Sequence, residues 1–95
     1  SENTVLSFLR KSPSTGDTIV CVYNFNPVPK YNYKVGVTKP GYWKEILNSD
    51  SEAYFGSNIG NLGGVNTKEY STHARPYTIE IALPPLAAVF FKHEG

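Results

Sequence analysis

Tyr77-Thr-Ile-Glu-Ile-Ala-Leu83-Pro-Pro-Leu86-Ala-Ala-Val-Phe-Phe-Lys92 is the stretch that decides the fold. Tyr77, Ile79, Ile81 and Leu83 alternate with Thr78, Glu80 and Ala82, the period-2 pattern of a half-buried strand. Pro84 and Pro85 remove two backbone donors and fix two φ angles, so the first run must stop there. From Leu86 to Phe91 every position is apolar, as in a strand covered on both faces. The spacing predicts a closing hairpin, and two such strands need a second sheet to cover them. The rest of the chain is therefore expected to supply that sheet and its connections. No residue in this stretch has the look of a catalyst.

Working back from it, the remaining segments read as strands and turns. Val5 to Arg10 is a short first strand, closed by a polar loop with Pro13 and Gly16 at turn positions. Thr18 to Phe25 puts Ile19, Cys21, Tyr23 and Phe25 on one face and Val20 and Val22 on the other, and it is expected to be central. Asn26-Pro-Val-Pro29 breaks it, because neither proline can donate to a ladder. Tyr31, Tyr33, Val35 and Val37 alternate with polar residues and Gly36, so that strand should be one-sided. Thr38-Lys-Pro-Gly41 is a Pro-Gly turn, and Tyr42 to Leu47 follows with apolar residues on both faces. Ser49-Asp-Ser-Glu52 has the spacing of a helix capping box, which predicts one helical turn over Asp50 to Tyr54. Gly56, Gly60, Gly63 and Gly64 mark a long loop, and Val65 to Tyr70 suggests an edge strand. No useful length carries a 3.6-residue apolar period. The expected architecture is all-β, a two-sheet antiparallel β-sandwich of six to eight strands.

Bulk properties narrow the function. Ninety-five residues make one domain, 1–95, with room for one modest core and little room for a deep cleft. Nine basic and eight acidic residues leave a formal charge of +1, which offers no footprint for nucleic acid or an anionic membrane. Cys21 is the only cysteine, so no internal disulfide can form, and its apolar surroundings predict a buried, inert thiol. No stretch approaches the ~18 apolar residues of a membrane span, and a cytoplasmic protein is expected. The chain has no Met and starts abruptly, which suggests a piece of something longer.

Sites with chemistry are few. Gly56-Ser-Asn-Ile-Gly60-Asn-Leu-Gly63-Gly64 lacks the Gly-Lys-Ser/Thr ending of a phosphate loop, and no helix pattern follows it. His73 and His93 have no partners at metal-ligand spacing, so neither a metal nor another cofactor is expected. Asp50 and Glu52 share one loop, whereas glycoside chemistry needs two carboxylates flanking a cleft. No catalytic residue is assigned.

A family resemblance emerges in the middle of the chain. Gly41-Tyr-Trp-Lys-Glu-Ile-Leu-Asn48 and the stretch through Tyr54-Phe-Gly56-Ser-Asn58-Ile-Gly60-Asn61-Leu-Gly63-Gly64 closely resemble the C-terminal all-β domain of bacterial 1,4-α-glucan (glycogen) branching enzymes, of the α-amylase superfamily. Asn24-Phe-Asn-Pro27-Val-Pro29, Arg75-Pro-Tyr77 and Leu83-Pro-Pro-Leu86-Ala87 resemble further blocks of that domain, in the same order. Departures fall at Lys30-Tyr-Asn and between Val65 and Thr72. The resemblance implies a parent enzyme with a (β/α)8 catalytic barrel, in which an Asp nucleophile and a Glu acid/base transfer a cut α-1,4-glucan chain to a 6-hydroxyl. Those carboxylates belong to the barrel and have no counterpart here.

The reading that follows is an accessory domain with a structural role beside that barrel. Two alternatives remain. A glucan-binding module would use Tyr42, Trp43, Tyr54 or Phe55 to stack on glucose rings, and a generic immunoglobulin-like interaction domain would have no sugar chemistry. Tyr54, Phe55, Ile59 and Leu62 are also candidates for contact with the neighbouring domain, because a long loop in water would not favour them. On any of these readings the 95-residue chain alone is expected to show no branching or hydrolysis of amylose. Iodine staining or reducing-end release above background, from clean protein, would contradict this.

Overall fold

The computed structural model describes residues 5–49 and 63–95. Seven strands run through them: β1 Val5–Lys11, β2 Thr18–Asn24, β3 Lys30–Val37, β4 Tyr42–Asn48, β5 Gly64–Asn66, β6 Tyr77–Leu83 and β7 Ala87–His93. They form a five-stranded sheet in the order β1-β2-β7-β4-β5 and a two-stranded sheet of β3 and β6. Every pairing is antiparallel. The expected all-β, two-sheet sandwich is what the sequence builds. β2 is interior, flanked by β1 and β7. The β1–β2 connection is a true hairpin, closed by Ser12 N–H to the Asp17 carbonyl at 2.8 Å, with Gly16 at φ 77°. The edge strand is shorter than expected: β5 has three residues, and beyond it only Lys68 forms a bridge, to Thr78. The helical turn expected over 50–54 lies outside the described residues.

The closing hairpin does not form. β6 pairs with β3 and β7 pairs with β2 and β4, so the two strands lie in different sheets. The cause is Pro84-Pro85. A tight hairpin turn needs residues at φ > 0 and a backbone donor, and prolines locked near −65° supply neither. They carry the chain across the sandwich instead, and Leu86, at φ 50°, redirects it into β7. This crossing is tied to the one after β2 by the side chain of Asn24, which is 1% exposed. Its Nδ2 donates to the Pro84 carbonyl at 2.9 Å and to the Val28 carbonyl at 3.2 Å, while its Oδ1 accepts from Asn26 N–H at 2.9 Å. Leu86 N–H donates to the Asn26 carbonyl at 2.9 Å and completes the link.

The crossing from β3 to β4 is held in a similar way. Trp43 Nε1 donates to the Lys39 carbonyl at 3.1 Å, and His93 Nε2 lies 2.8 Å from the Pro40 carbonyl. The segment from Thr67 to Pro76 covers the outside of the small sheet where Gly36 pairs with Thr78. The Thr78 hydroxyl donates to the Tyr70 carbonyl at 2.7 Å, so the Thr72 hydroxyl, also 2.7 Å away, is the donor to Thr78. A Cβ on Gly36 would run into the Thr72 carbonyl, which is why this strand position is a glycine.

Between the sheets the core is built from Val20 and Val22 of β2, Val35 and Val37 of β3, Trp43 of β4, Ile79, Ile81 and Leu83 of β6, and Val89 and Phe91 of β7. Each is at most 1% exposed. β7 contributes only Val89 and Phe91 to this core. Ala88 and Phe90 sit half-buried on the far side of the sheet, so within the domain the strand is fully covered on one face rather than both.

Truncating Ile81 or Val89 to Ala should cost roughly 2–4 kcal/mol, through lost transfer energy and the cavity left behind. Denaturant midpoints that do not move would mean that the strand faces are assigned wrongly. Asn24→Leu removes three hydrogen bonds and leaves the Pro84 carbonyl buried without its donor, at an expected cost of about 2–4 kcal/mol despite the similar volume. Equilibrium unfolding that shows no loss would mean that the two crossings stand without their tie.

Candidate docking face

The five-stranded sheet has a second face, turned away from the small sheet, and its register decides what that face carries. Phe8 pairs with Cys21, which pairs with Phe90; Leu6 pairs with Tyr23, which pairs with Ala88. Cross-strand partners share a face, so Leu6, Phe8, Cys21, Tyr23, Ala88 and Phe90 all point outward. The aromatic rings meet there. Tyr23 stacks on Phe8 at 5.9 Å and 17° and on Phe25 at 6.2 Å and 9°, and it meets Phe90 edge-on at 5.7 Å and 75°. Offset stacking and edge-to-face contact are the arrangements that the ring quadrupoles favour.

Cys21 and Ala88 are the small members of these rows. Beside the rings, Cys21 and Phe90 help to line a depression of about 220 Å³ that also involves Arg10 and Ile19. Cys21 itself is 2% exposed. Burial pushes its thiol above the usual range, opposed in part by the Arg10 charge, and an apolar, protonated thiol is a poor nucleophile. At the end of the face where Asn24 ties the two crossings, three apolar side chains stand in water: Phe25 at 57%, Val28 at 61% and Leu86 at 69% exposure. Leu6 adds an exposed aliphatic group in the Tyr23 row. A cluster of this kind marks a surface that meets something.

The residues singled out from the sequence fall elsewhere. Trp43 is in the core with no exposed surface and tilts against the His93 ring at 5.1 Å, so its indole has no face open to a sugar. Tyr42, next to it, is exposed. Tyr54, Phe55, Ile59 and Leu62, the stacking and interdomain candidates of the long loop, lie outside the described residues. Phe8, Tyr23, Phe25 and Phe90 were not singled out. The signal was present: β2 and β7 are apolar on both faces, and one small sheet can cover only one of them.

The described residues assemble little that could do chemistry. None of the four surface depressions is lined by an Asp or a Glu. Among the described residues no group of three His, Cys, Asp or Glu side chains is placed to hold a metal, and no helix is long and apolar enough to cross a membrane. The carboxylate of Glu80 accepts the Tyr70 hydroxyl at 2.6 Å, and that hydrogen bond, with burial and the Glu80 charge, raises the phenol's pKa. Lys92 and Glu94 form an exposed pair at 3.4 Å, of a type that adds little to stability.

Two antiparallel sheets, crossed by short side-chain-tied connections and apolar on one outer face, define an all-β sandwich domain. Residues 1–94 match the family described as "Alpha amylase, C-terminal all-beta domain", and the chain belongs to that family. Among similar proteins are 1,4-alpha-glucan branching enzymes of Aquifex aeolicus, 49% identical over 99% of the chain, and Rhodopirellula baltica, 49% identical over 100%. The branching enzyme of a Synechocystis strain is 42% identical over 97% of it. The chain spans only 15%, 13% and 12% of the length of these three relatives, respectively.

Proposed function

We propose that the chain is the accessory C-terminal domain of a 1,4-α-glucan branching enzyme, and that its role is structural, on the flank of that enzyme's (β/α)8 catalytic barrel. The observation that carries this reading is the pattern of the matches. Proteins named as branching enzymes match the chain almost end to end, yet it amounts to no more than 15% of their length. The parent enzyme acts on α-glucan in the cytoplasm, cutting α-1,4 bonds and forming α-1,6 branches with carboxylates of its own barrel. This domain supplies a folded surface for the barrel to rest on.

The outer face of the five-stranded sheet is the surface suited to that task. Its rings are already held in place by one another, so burying them under a neighbour costs little side-chain entropy. Phe25, Val28 and Leu86 gain most, because they are the most exposed members. The occupant is the remainder of the parent chain, which is far larger than the domain in every relative cited.

The test is Phe25→Ser combined with Leu86→Ser. Both side chains are more than half exposed, so the 95-residue chain should change by no more than about 0.5 kcal/mol. In the full-length enzyme, where docking would bury both, the loss should reach roughly 2 kcal/mol or more. Equal losses in the two proteins, read by denaturant unfolding, would defeat the docking role.

A further inference from the structure

A second feature lies along β3, and the docking face does not account for it. Tyr31, Tyr33, Val35 and Val37 alternate in the sequence as though all four faced the core. The structure breaks the pattern. The register slips between Lys30 and Tyr33 as β3 pairs with β6, Asn32 takes a left-handed backbone at φ 56°, and Tyr31 is turned out to 65% exposure. Across from it, His73 and Ala74 are also left-handed, at φ 53° and 62°. Such conformations are costly for residues with a Cβ, and they gather where a chain is shaped for a ligand. Bulges likewise re-aim side chains beside functional sites.

These residues border an open depression of about 620 Å³, lined by Lys30, Tyr31, Asn32, Tyr33, Lys34 and His73 together with Thr72. A second depression of about 280 Å³ adjoins it and shares Tyr33 and His73, continuing past Arg75 to Val5, Leu6 and Ser7 of β1. Together they make an elongated trough between the β3 strand and the first strand of the larger sheet. Its size is that of a ligand site rather than a surface dimple. The lining combines aromatic rings with carboxamide, imidazole, hydroxyl and ammonium groups, and it contains no carboxylate.

We propose that this trough is a non-catalytic holding site for an α-1,4-glucan chain, with the Tyr31 ring stacked on a glucose unit and Asn32, His73 and Lys34 bonding to its hydroxyls. A pyranose offers an apolar C–H face and a rim of hydroxyls. An exposed tyrosine ring fits the first. The second is met by groups that donate, or both donate and accept, in the way Asn, His and Lys do. The length of the trough suits a chain rather than a single sugar. The choice of an α-glucan rests on the proposed branching-enzyme reading, while the trough itself does not. Tyr31, Asn32 and His73 are not among the residues of the aromatic docking face.

The test is a titration of the isotope-labelled 95-residue chain with maltoheptaose, followed by NMR, and affinity electrophoresis of the same chain through a gel containing amylopectin. Binding should shift resonances of residues 30–34 and 72–75 and retard migration. Tyr31→Ala should weaken it at least tenfold, Tyr31→Phe should keep most of it, and both variants should unfold at the parent's denaturant midpoint because the side chain is exposed. Phe25→Ser with Leu86→Ser should bind like the parent chain. In the full-length enzyme, Tyr31→Ala should raise KM for amylose and leave kcat unchanged. The proposal fails if maltoheptaose leaves residues 30–34 unshifted, if Tyr31→Ala binds as well as the parent, or if inorganic phosphate shifts these resonances and maltoheptaose does not. None of those failures touches the docking test, which reads stability. A stability loss equal in the chain and the full enzyme would end the docking role and leave this site standing.

Discussion

The buried carboxamide of Asn24 is the constraint on which the rest of the sandwich depends. The chain changes sheet four times, after β2, β3, β5 and β6, and at each change the backbone leaves one ladder before it joins another. Carbonyls and N–H groups stranded inside at those points must find partners or cost about 1–3 kcal/mol each. Asn24 serves two crossings at once, with two donors and one acceptor used on three backbone groups. An aspartate could not donate to two carbonyls, and it would place a charge where only 1% of the residue reaches water. Trp43, His93 and Thr78 perform the same service at the other crossings with whatever polar atom each can spare. The core thus holds side chains that are apolar in bulk and polar at one chosen atom.

Periodicity shows which way a side chain faces. It does not show which strand lies alongside. Seven strands were therefore legible as alternating or apolar runs, and their pairing was not. Pro84-Pro85 was correctly read as a stop. That the stop also moves the chain to the other sheet depends on Asn24, sixty residues away in sequence, and no local pattern carries that. The same limit explains Trp43. β4 is apolar on both faces, so the sequence left open whether the indole faced the core or a ligand, and the core claimed it through the Lys39 carbonyl. Tyr31 failed in the opposite sense. Its alternation pointed inward, and a backbone bulge, invisible to a pattern of hydrophobicity, turned it out.

The reading of β7 was half right in an instructive way. Its unbroken apolar run implies cover on both sides, and the small sheet covers only Val89 and Phe91. Phe90 is left with Phe8, Tyr23 and Phe25 on a face that nothing in these residues roofs. An apolar strand face without cover is a poor feature for an independent domain, because it invites association. It is a sensible feature for a segment that makes up 12–15% of the relatives it matches. The physical argument from leftover surface and the comparison from sequence therefore lead to the same place by independent routes.

The two proposed surfaces also fit together mechanically. One belongs to the outer face of the five-stranded sheet and the other runs along β3 of the small sheet, and the shared core between them makes the sandwich a rigid spacer. A glucan held in the trough would therefore be held at a fixed distance from whatever the aromatic face docks against. Tethering a flexible chain near a reacting centre raises its effective concentration there, by an amount set by how much slack lies between the two points. A weak site suffices for this, and a weak site lets the chain go after transfer. That is the affinity expected of one exposed tyrosine ring and a few hydroxyl contacts, and a deep pocket would serve a polymer-transferring enzyme less well.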